Sequence, residues 1–154
     1  MPPVEKRLSY GRIVLLIATA LIILFIFAQS LLPQSLSSEE SGWLMNTVIN
    51  PLLQLIGLNP LSHHTIRKIA HIAEFTVLSM LLVLTFRGRI IRSAGVGSTI
   101  AFLDESIQLL SGRGASVTDI WIDLIGVAIG TALGFLLQNT RKHHRDKTEQ
   151  TQSV

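Results

Sequence analysis

Four stretches of the chain are apolar enough, and long enough, to be interpreted as helices that cross a bilayer. They are residues 13–32, 66–86, 93–110 and 119–138. A span needs about 20 mostly apolar residues to cover the hydrocarbon core. The first stretch has no charged residue, and the other three carry ionisable residues near one end. The pattern predicts an all-α integral membrane protein that folds as a four-helix bundle.

The region between the first two spans is a different kind of apolar segment. Residues 43–58 are hydrophobic overall, but polar residues and helix breakers such as Asn50, Pro51 and Gly57 interrupt them. These interruptions are too frequent for a spanning helix. We therefore predict a short interfacial or re-entrant helix in the first outer loop.

Composition narrows the class of protein. Hydrophobic residues make up 48% of the 154 residues and charged residues 15%, against about 25% charged residues in a typical soluble domain. The chain has no cysteine, which excludes disulfides and thiolate metal ligands. A water-soluble globule and a wholly disordered chain are both excluded as descriptions.

The distribution of Lys and Arg predicts the orientation. With a cytoplasmic N-terminus and four crossings, ten of the 13 Lys and Arg lie on the cytoplasmic side. We therefore predict a multi-pass protein of the plasma (inner) membrane with both termini in the cytoplasm. The anionic lipids of the cytoplasmic leaflet then account for the formal charge of +3, and we expect no nucleic acid partner.

The same pattern divides the chain into three parts. Residues 1–12 are predicted to be a cytoplasmic N-terminus, and residues 13–138 to be the transmembrane domain. Residues 139–154 form a basic, polar cytoplasmic tail that we expect to be disordered or to lie against the membrane. Lys6 and Arg7 before the first span also fit a secretory signal peptide, an alternative that leaves the remaining topology unchanged.

Ionisable residues within three of the spans converge on one level of the bilayer, in its outer half. Arg67, His71 and Glu74 share one face of the second helix, because they are spaced i, i+4, i+7. Asp104 and Gln108 share a face of the third helix. Ionisable residues inside a membrane are costly, and they are therefore functional candidates by default.

The fourth helix carries acids and glycines on one stripe. Asp119 and Asp123 fall on the same stripe as Gly126, Gly130 and Gly134. Glycines spaced by four residues let another helix approach closely. We therefore expect this face both to pack against a neighbouring helix and to present its acids inward, although Asp119 also fits an N-cap.

The predicted polar site is open to the outside and draws on three helices and one loop. Glu105 is about 100° around the helix from Asp104, so at most one of the two points straight into the site. Arg113 lies in the short outer loop between the third and fourth helices. The candidate residues are Lys68, His71, Glu74, Asp104, Glu105, Gln108, Arg113, Asp119 and Asp123.

The candidate residues lie in a set of motifs: Lys68-x-x-His71-x-x-Glu74-Phe75, the run from Asp104 to Gln108, Arg113 between Gly112 and Gly114, Asp119-x-x-x-Asp123, and the glycines at 126 and 130. Together these motifs resemble the VanZ-like membrane proteins. The resemblance covers residues 67–134, and one departure is Asp123, where that family more often has Asn. The family is bacterial and is named for an accessory factor in glycopeptide (teicoplanin) resistance, so the resemblance implies a setting in the cell envelope but not a reaction.

Three functions are consistent with such a site. The first is binding or translocating a membrane lipid or lipid-linked envelope precursor, with Arg113, Arg67 and Lys68 contacting phosphate or carboxylate. Translocation requires a site that opens alternately to the two sides of the membrane. Four helices are few for such a movement, so this hypothesis implies a homodimer. The resemblance adds an effect on glycopeptide susceptibility to this hypothesis.

The second function is an enzyme that acts on such a lipid by acid–base chemistry. His71 would be a base or nucleophile and Asp104 or Glu105 an acid. No recognisable nucleophile motif appears in the sequence. The third function is structural, in which the polar network sets helix register and the protein binds other envelope machinery.

We expect no cofactor and no metal. His71 with Glu74 fits a hydrogen-bonded pair that staples helices as well as it fits a site. A single His-x-x-Glu is a weak metal motif, because metal-binding bundles use several such pairs.

Overall fold

The computed structural model describes residues 10–32, 42–43, 45–55, 57, 59–112 and 117–152, without the side chains of Met45, His63 and residues 141–152. These residues contain no strand. The helices are α1 (Tyr10–Leu31), a π-helical stretch (Met45–Ile49), α2 (Asn50–Leu55), α3 (His63–Thr85), α4 (Ile90–Leu110) and α5 (Val117–Gln152). The prediction of an all-α membrane fold is confirmed.

Three of these helices are long and apolar enough to span a membrane. They are Tyr10–Leu31, His64–Thr85 and Val117–Thr140. Helix α4 has 21 residues but falls short in hydropathy, because it carries charged and polar side chains. Asp104, Glu105 and Gln108 are all buried within the protein. A fourth crossing by α4 therefore stays a prediction.

Helix α3 packs against α1, α4 and α5, and the core forms where the four meet. The buried apolar side chains of this core come from all four helices, whereas the outward faces of the same helices expose many Leu, Ile and Phe side chains. An apolar exterior around a small core is typical of a protein whose surroundings are lipid. The core residues are Ile26, Phe75, Leu78, Leu82, Ile100, Ala101 and Val127.

Local sequence fixes the ends of α3. Ser62 caps its first turn, where the Ser62 hydroxyl accepts a hydrogen bond from the Thr65 amide at 3.2 Å, as is typical of an N-cap. At the other end Arg87 adopts φ +57° and Gly88 φ +80°, and the Gly88 amide donates to the Val83 carbonyl at 2.9 Å. Left-handed residues with this hydrogen bond end a helix and satisfy one of its last carbonyls. The chain then turns directly into α4.

The glycine stripe on α5 lies against the backbone of α3. A Cβ on Gly126 would lie 2.7 Å from the Ile72 carbonyl oxygen, and a Cβ on Gly134 would lie 2.8 Å from Val83 Cβ. At Gly130 the added Cβ would overlap the carbonyl of Thr76. Since α5 contributes no side chain at these levels, its backbone packs directly against α3, which holds the two helices in one register.

Two segments differ in extent from the predictions. Helix α5 continues to Gln152, past residue 138, where the predicted span ends and the tail expected to be disordered or to lie against the membrane begins. The segment after Gly134 contains no Gly or Pro, and Lys, Arg, Glu and Gln are good helix formers. In the first outer loop, residues 45–55 are helical in two pieces, and Pro51 lies in the first turn of α2, where proline is tolerated.

We predict that Gly130→Ala destabilises the fold. The new methyl group must displace the Thr76 backbone, and overpacking of this kind costs about 1–3 kcal/mol. The measurement is thermal and denaturant unfolding of the purified protein in mild detergent. The matched control is Gly95→Ala, because a Cβ there meets nothing within 4 Å. Equal stability of the two variants would contradict the close α3–α5 contact.

Candidate functional site

Polar side chains from four helices meet at one end of the bundle. Helices α1 and α4 end there, and α3 and α5 begin there, so residues far apart in the chain lie at one level. We call this group the polar cluster. It consists of Ser30 from α1, Arg67 and His71 from α3, Asp104 and Gln108 from α4, and Asp123 from α5.

Asp104 is fully buried and accepts hydrogen bonds on both carboxylate oxygens. The Ser30 hydroxyl donates to Oδ1, and Gln108 Nε2 donates to Oδ2 at 2.8 Å. Arg67 extends the chain of contacts, because its Nη2 donates to Gln108 Oε1 at 3.0 Å. The carboxylate of Asp104 is therefore held in one orientation by α1 and α4. The half-buried guanidinium of Arg67 is linked to it through Gln108.

His71 and Asp123 form the second half of the polar cluster. His71 Nδ1 lies 3.1 Å from Asp123 Oδ1. Asp123 is fully buried, whereas the side chain of His71 is 16% exposed. The other oxygen of Asp123, Oδ2, is buried without a hydrogen-bond partner in the described part of the chain. His71 thus stands between a buried acid and the surroundings.

The two halves of the polar cluster are close to each other. One ligand atom from each of His71, Asp104 and Asp123 lies within 4.8 Å of the other two. The three residues come from three different helices, so their proximity is a product of the packing of α3 against α4 and α5. An imidazole and two carboxylates at this spacing can share a proton, bind a polar ligand or hold a cation.

The other predicted site residues surround this centre at different depths. Glu105 is buried beside Asp104, so both neighbouring acids are removed from solvent. Lys68, Glu74 and Asp119 are half-buried. Arg113 lies outside the described residues. His71 has a hydrogen-bond contact with Asp123, a partner on another helix that the spacing within α3 did not indicate.

Sequence analysis missed Ser30. It is a single serine at the end of a charge-free span, and no motif marks it. Its position near the same membrane level as His71 and Asp104 was the one available signal. Ser111 adds a second link between the ends of α1 and α4, because its hydroxyl donates to the Ser30 carbonyl at 3.1 Å.

Comparison with known proteins gives one match. The family model described as VanZ/LLP1 matches residues 13–138, which includes every described residue of the polar cluster. Searches among curated proteins and among solved structures found no match.

We predict that His71 and Asp123 are energetically coupled. His71→Ala leaves a buried carboxylate without its donor, and Asp123→Ala leaves the imidazole without its acceptor, each at a cost of about 1–3 kcal/mol. The double variant should cost less than the sum of the two, by about 0.5–3 kcal/mol. Unfolding of all three variants in detergent measures this coupling.

The control for this cycle is His64→Ala, because His64 is an exposed histidine on the same helix. Its removal should change the free energy of unfolding by less than about 0.5 kcal/mol. Strictly additive costs for His71→Ala and Asp123→Ala would show that the two residues do not interact in the folded protein.

Proposed function

The chain belongs to the VanZ/LLP1 family, and we propose that its polar cluster binds the headgroup of a cell-envelope lipid or lipid-linked precursor. The observation that carries this proposal is the burial of Asp104, Gln108 and Asp123 at one end of the bundle, whereas the buried polar side chains farther along the described helices are serines and threonines. Burying carboxylates costs several kcal/mol unless other groups satisfy them. A protein that needed only to hold four helices together would do so more cheaply with apolar side chains.

The gradient of burial favours a ligand that enters from the lipid or from the membrane surface. Asp104 and Asp123 are fully buried, whereas His71, Arg67 and Lys68 are half-buried. A ligand therefore meets hydrogen-bond donors and cations first and carboxylates beneath them. This arrangement suits a headgroup that carries an anionic phosphate together with hydroxyl or amide groups.

The proposed site faces the outside of the plasma membrane, with both termini in the cytoplasm. The distribution of Lys and Arg supports this orientation. Translocation of the bound lipid requires a second conformation and, in so small a bundle, a homodimer. The same binding activity would alter susceptibility to envelope-directed drugs, including glycopeptides.

A membrane enzyme acting on the same lipid is the second candidate. It is favoured by the contact between His71 Nδ1 and Asp123 Oδ1, because an imidazole oriented by a buried acid has its other nitrogen available as a general base. Incubation of the purified protein with a lipid-linked precursor distinguishes the two. A covalently altered precursor would favour the enzyme, and an unaltered but retained one would favour binding.

We predict that the purified protein retains a phosphate-bearing lipid and that Arg67→Gln reduces this retention by about tenfold or more. A hydrogen bond to a charged group contributes about 1.5–3 kcal/mol, and 1.4 kcal/mol is tenfold in affinity. The measurement is mass spectrometry of the organic extract of protein purified in mild detergent, normalised to protein amount.

The matched control for lipid retention is Arg89→Gln. Arg89 is an exposed arginine at the opposite end of the bundle, where α4 begins. Retention should be unchanged in this variant. Equal lipid profiles for Arg67→Gln and Arg89→Gln, at equal stability of the two variants, would reject the polar cluster as the lipid site and leave the structural interpretation.

A further inference from the structure

We propose that His71, Asp104 and Asp123 form a binding site for one divalent transition-metal ion, of the zinc or manganese type. Each residue offers one ligand atom, and the three atoms lie within 4.8 Å of one another. Two ligands that are each about 2.1 Å from an ion are separated by about 3–4 Å. The ligand atoms therefore need to move by less than about 1–2 Å to close on an ion.

The spacing of His71 and Asp123 already matches neighbouring ligands of one ion. Their Nδ1 and Oδ1 atoms are 3.1 Å apart, which is a normal hydrogen-bond length. It is also the separation expected for two ligands at about a right angle around a metal with bonds of about 2.1 Å. Replacement of the Nδ1 proton by an ion, with Nε2 carrying the proton that keeps His71 neutral, would thus leave the two side chains nearly in place.

A buried oxygen of Asp123 provides an independent reason to expect a ligand here. Its Oδ2 is inaccessible to solvent and has no hydrogen-bond partner among the residues that the structure describes. Buried carboxylate oxygens are normally satisfied, and one that is not calls for an explanation. A cation in contact with Asp123 would supply the missing interaction.

Charge and outer contacts favour the same assignment. A divalent ion balances the charges of Asp104 and Asp123 while His71 is neutral, so that the ion and its three ligands together carry no net charge. Metal-binding carboxylates are usually oriented by further hydrogen bonds. Asp104 has two, from Ser30 and from Gln108.

The ligand set points to the class of metal. Imidazole favours zinc and iron, whereas carboxylates also accept manganese. Three protein ligands leave at least one coordination position open. If the proposed function holds, that position takes a phosphate oxygen of the lipid headgroup. The metal site itself does not depend on the lipid, so the two proposals fail separately.

The test is metal binding by the full-length protein in detergent, without added lipid and with His143 and His144 replaced by alanine. The protein is stripped with a chelator, titrated with ZnCl₂ or MnCl₂ and desalted, and its metal content is measured by mass spectrometry. We expect one ion per chain and a higher unfolding temperature with metal, because a ligand that binds the folded state stabilises it.

Variants assign this ion to the polar cluster. Asp123→Asn and His71→Ala should each remove the bound ion, and Ser30→Ala should weaken binding by about 10–100-fold through the orientation of Asp104. Asp123→Asn keeps the shape of the side chain, so a loss of metal without a loss of folding separates binding from stability. Exposed His64 provides the control, and His64→Ala should bind as the parent protein does.

Besides the absence of a bound ion in the parent protein, two results would overturn the metal site. One is a metal content that Asp123→Asn and His71→Ala leave unchanged. The other is an equal loss in His64→Ala, which would place the ion on surface histidines. Lipid retention by the stripped protein separates the two proposals. Retained lipid without metal binding would reject the metal site alone. Metal binding without retained lipid would reject the lipid-binding function alone.

Discussion

The structure depends on burying the carboxylates of Asp104 and Asp123 where the helices pack together, out of contact with solvent. A carboxylate in such surroundings is tolerated only if other groups satisfy it. Ser30 and Gln108 donate hydrogen bonds to Asp104, and His71 is in hydrogen-bond contact with Asp123. These contacts come from every long helix of the bundle. Any arrangement of the helices that separated them would leave a charged group buried and unsatisfied, so the polar cluster selects one register.

Close packing of α3 against α5 makes this register attainable. Because Gly126 and Gly130 have no side chain, the two backbones can approach each other closely. Asp123 lies one turn before Gly126 on the same stripe, and His71 lies next to Ile72, whose carbonyl faces Gly126. The short distance between His71 and Asp123 is therefore set by glycines rather than by the acid and the histidine themselves. Packing and chemistry on α5 use the same face.

Much of this arrangement could be predicted from the sequence, because helical periodicity is strong in apolar spans. The spacing of His71, Asp104, Gln108 and Asp123 indicated which faces turn inward, and the glycine stripe indicated where a helix approaches. The partner of His71 could not be predicted, because periodicity assigns faces within a helix but not contacts between helices. Ser30 was missed for the same reason: a lone serine in a span has no periodic signal, and its role depends on Asp104, 74 residues away.

Helix α4 illustrates how a polar site alters the signature of the helix that carries it. Its hydropathy falls short of that of the other long helices because of residues that it buries, among them Asp104, Glu105 and Gln108. Its outward side exposes Phe102, Leu103, Leu109 and Leu110. Since lipid contacts only the outward side, the apolar character of that side decides whether a helix is compatible with the membrane. An average over all residues of α4 counts side chains that lipid never meets. Near the end of α4 the buried acids and the exposed Phe and Leu side chains lie on different sides of the helix.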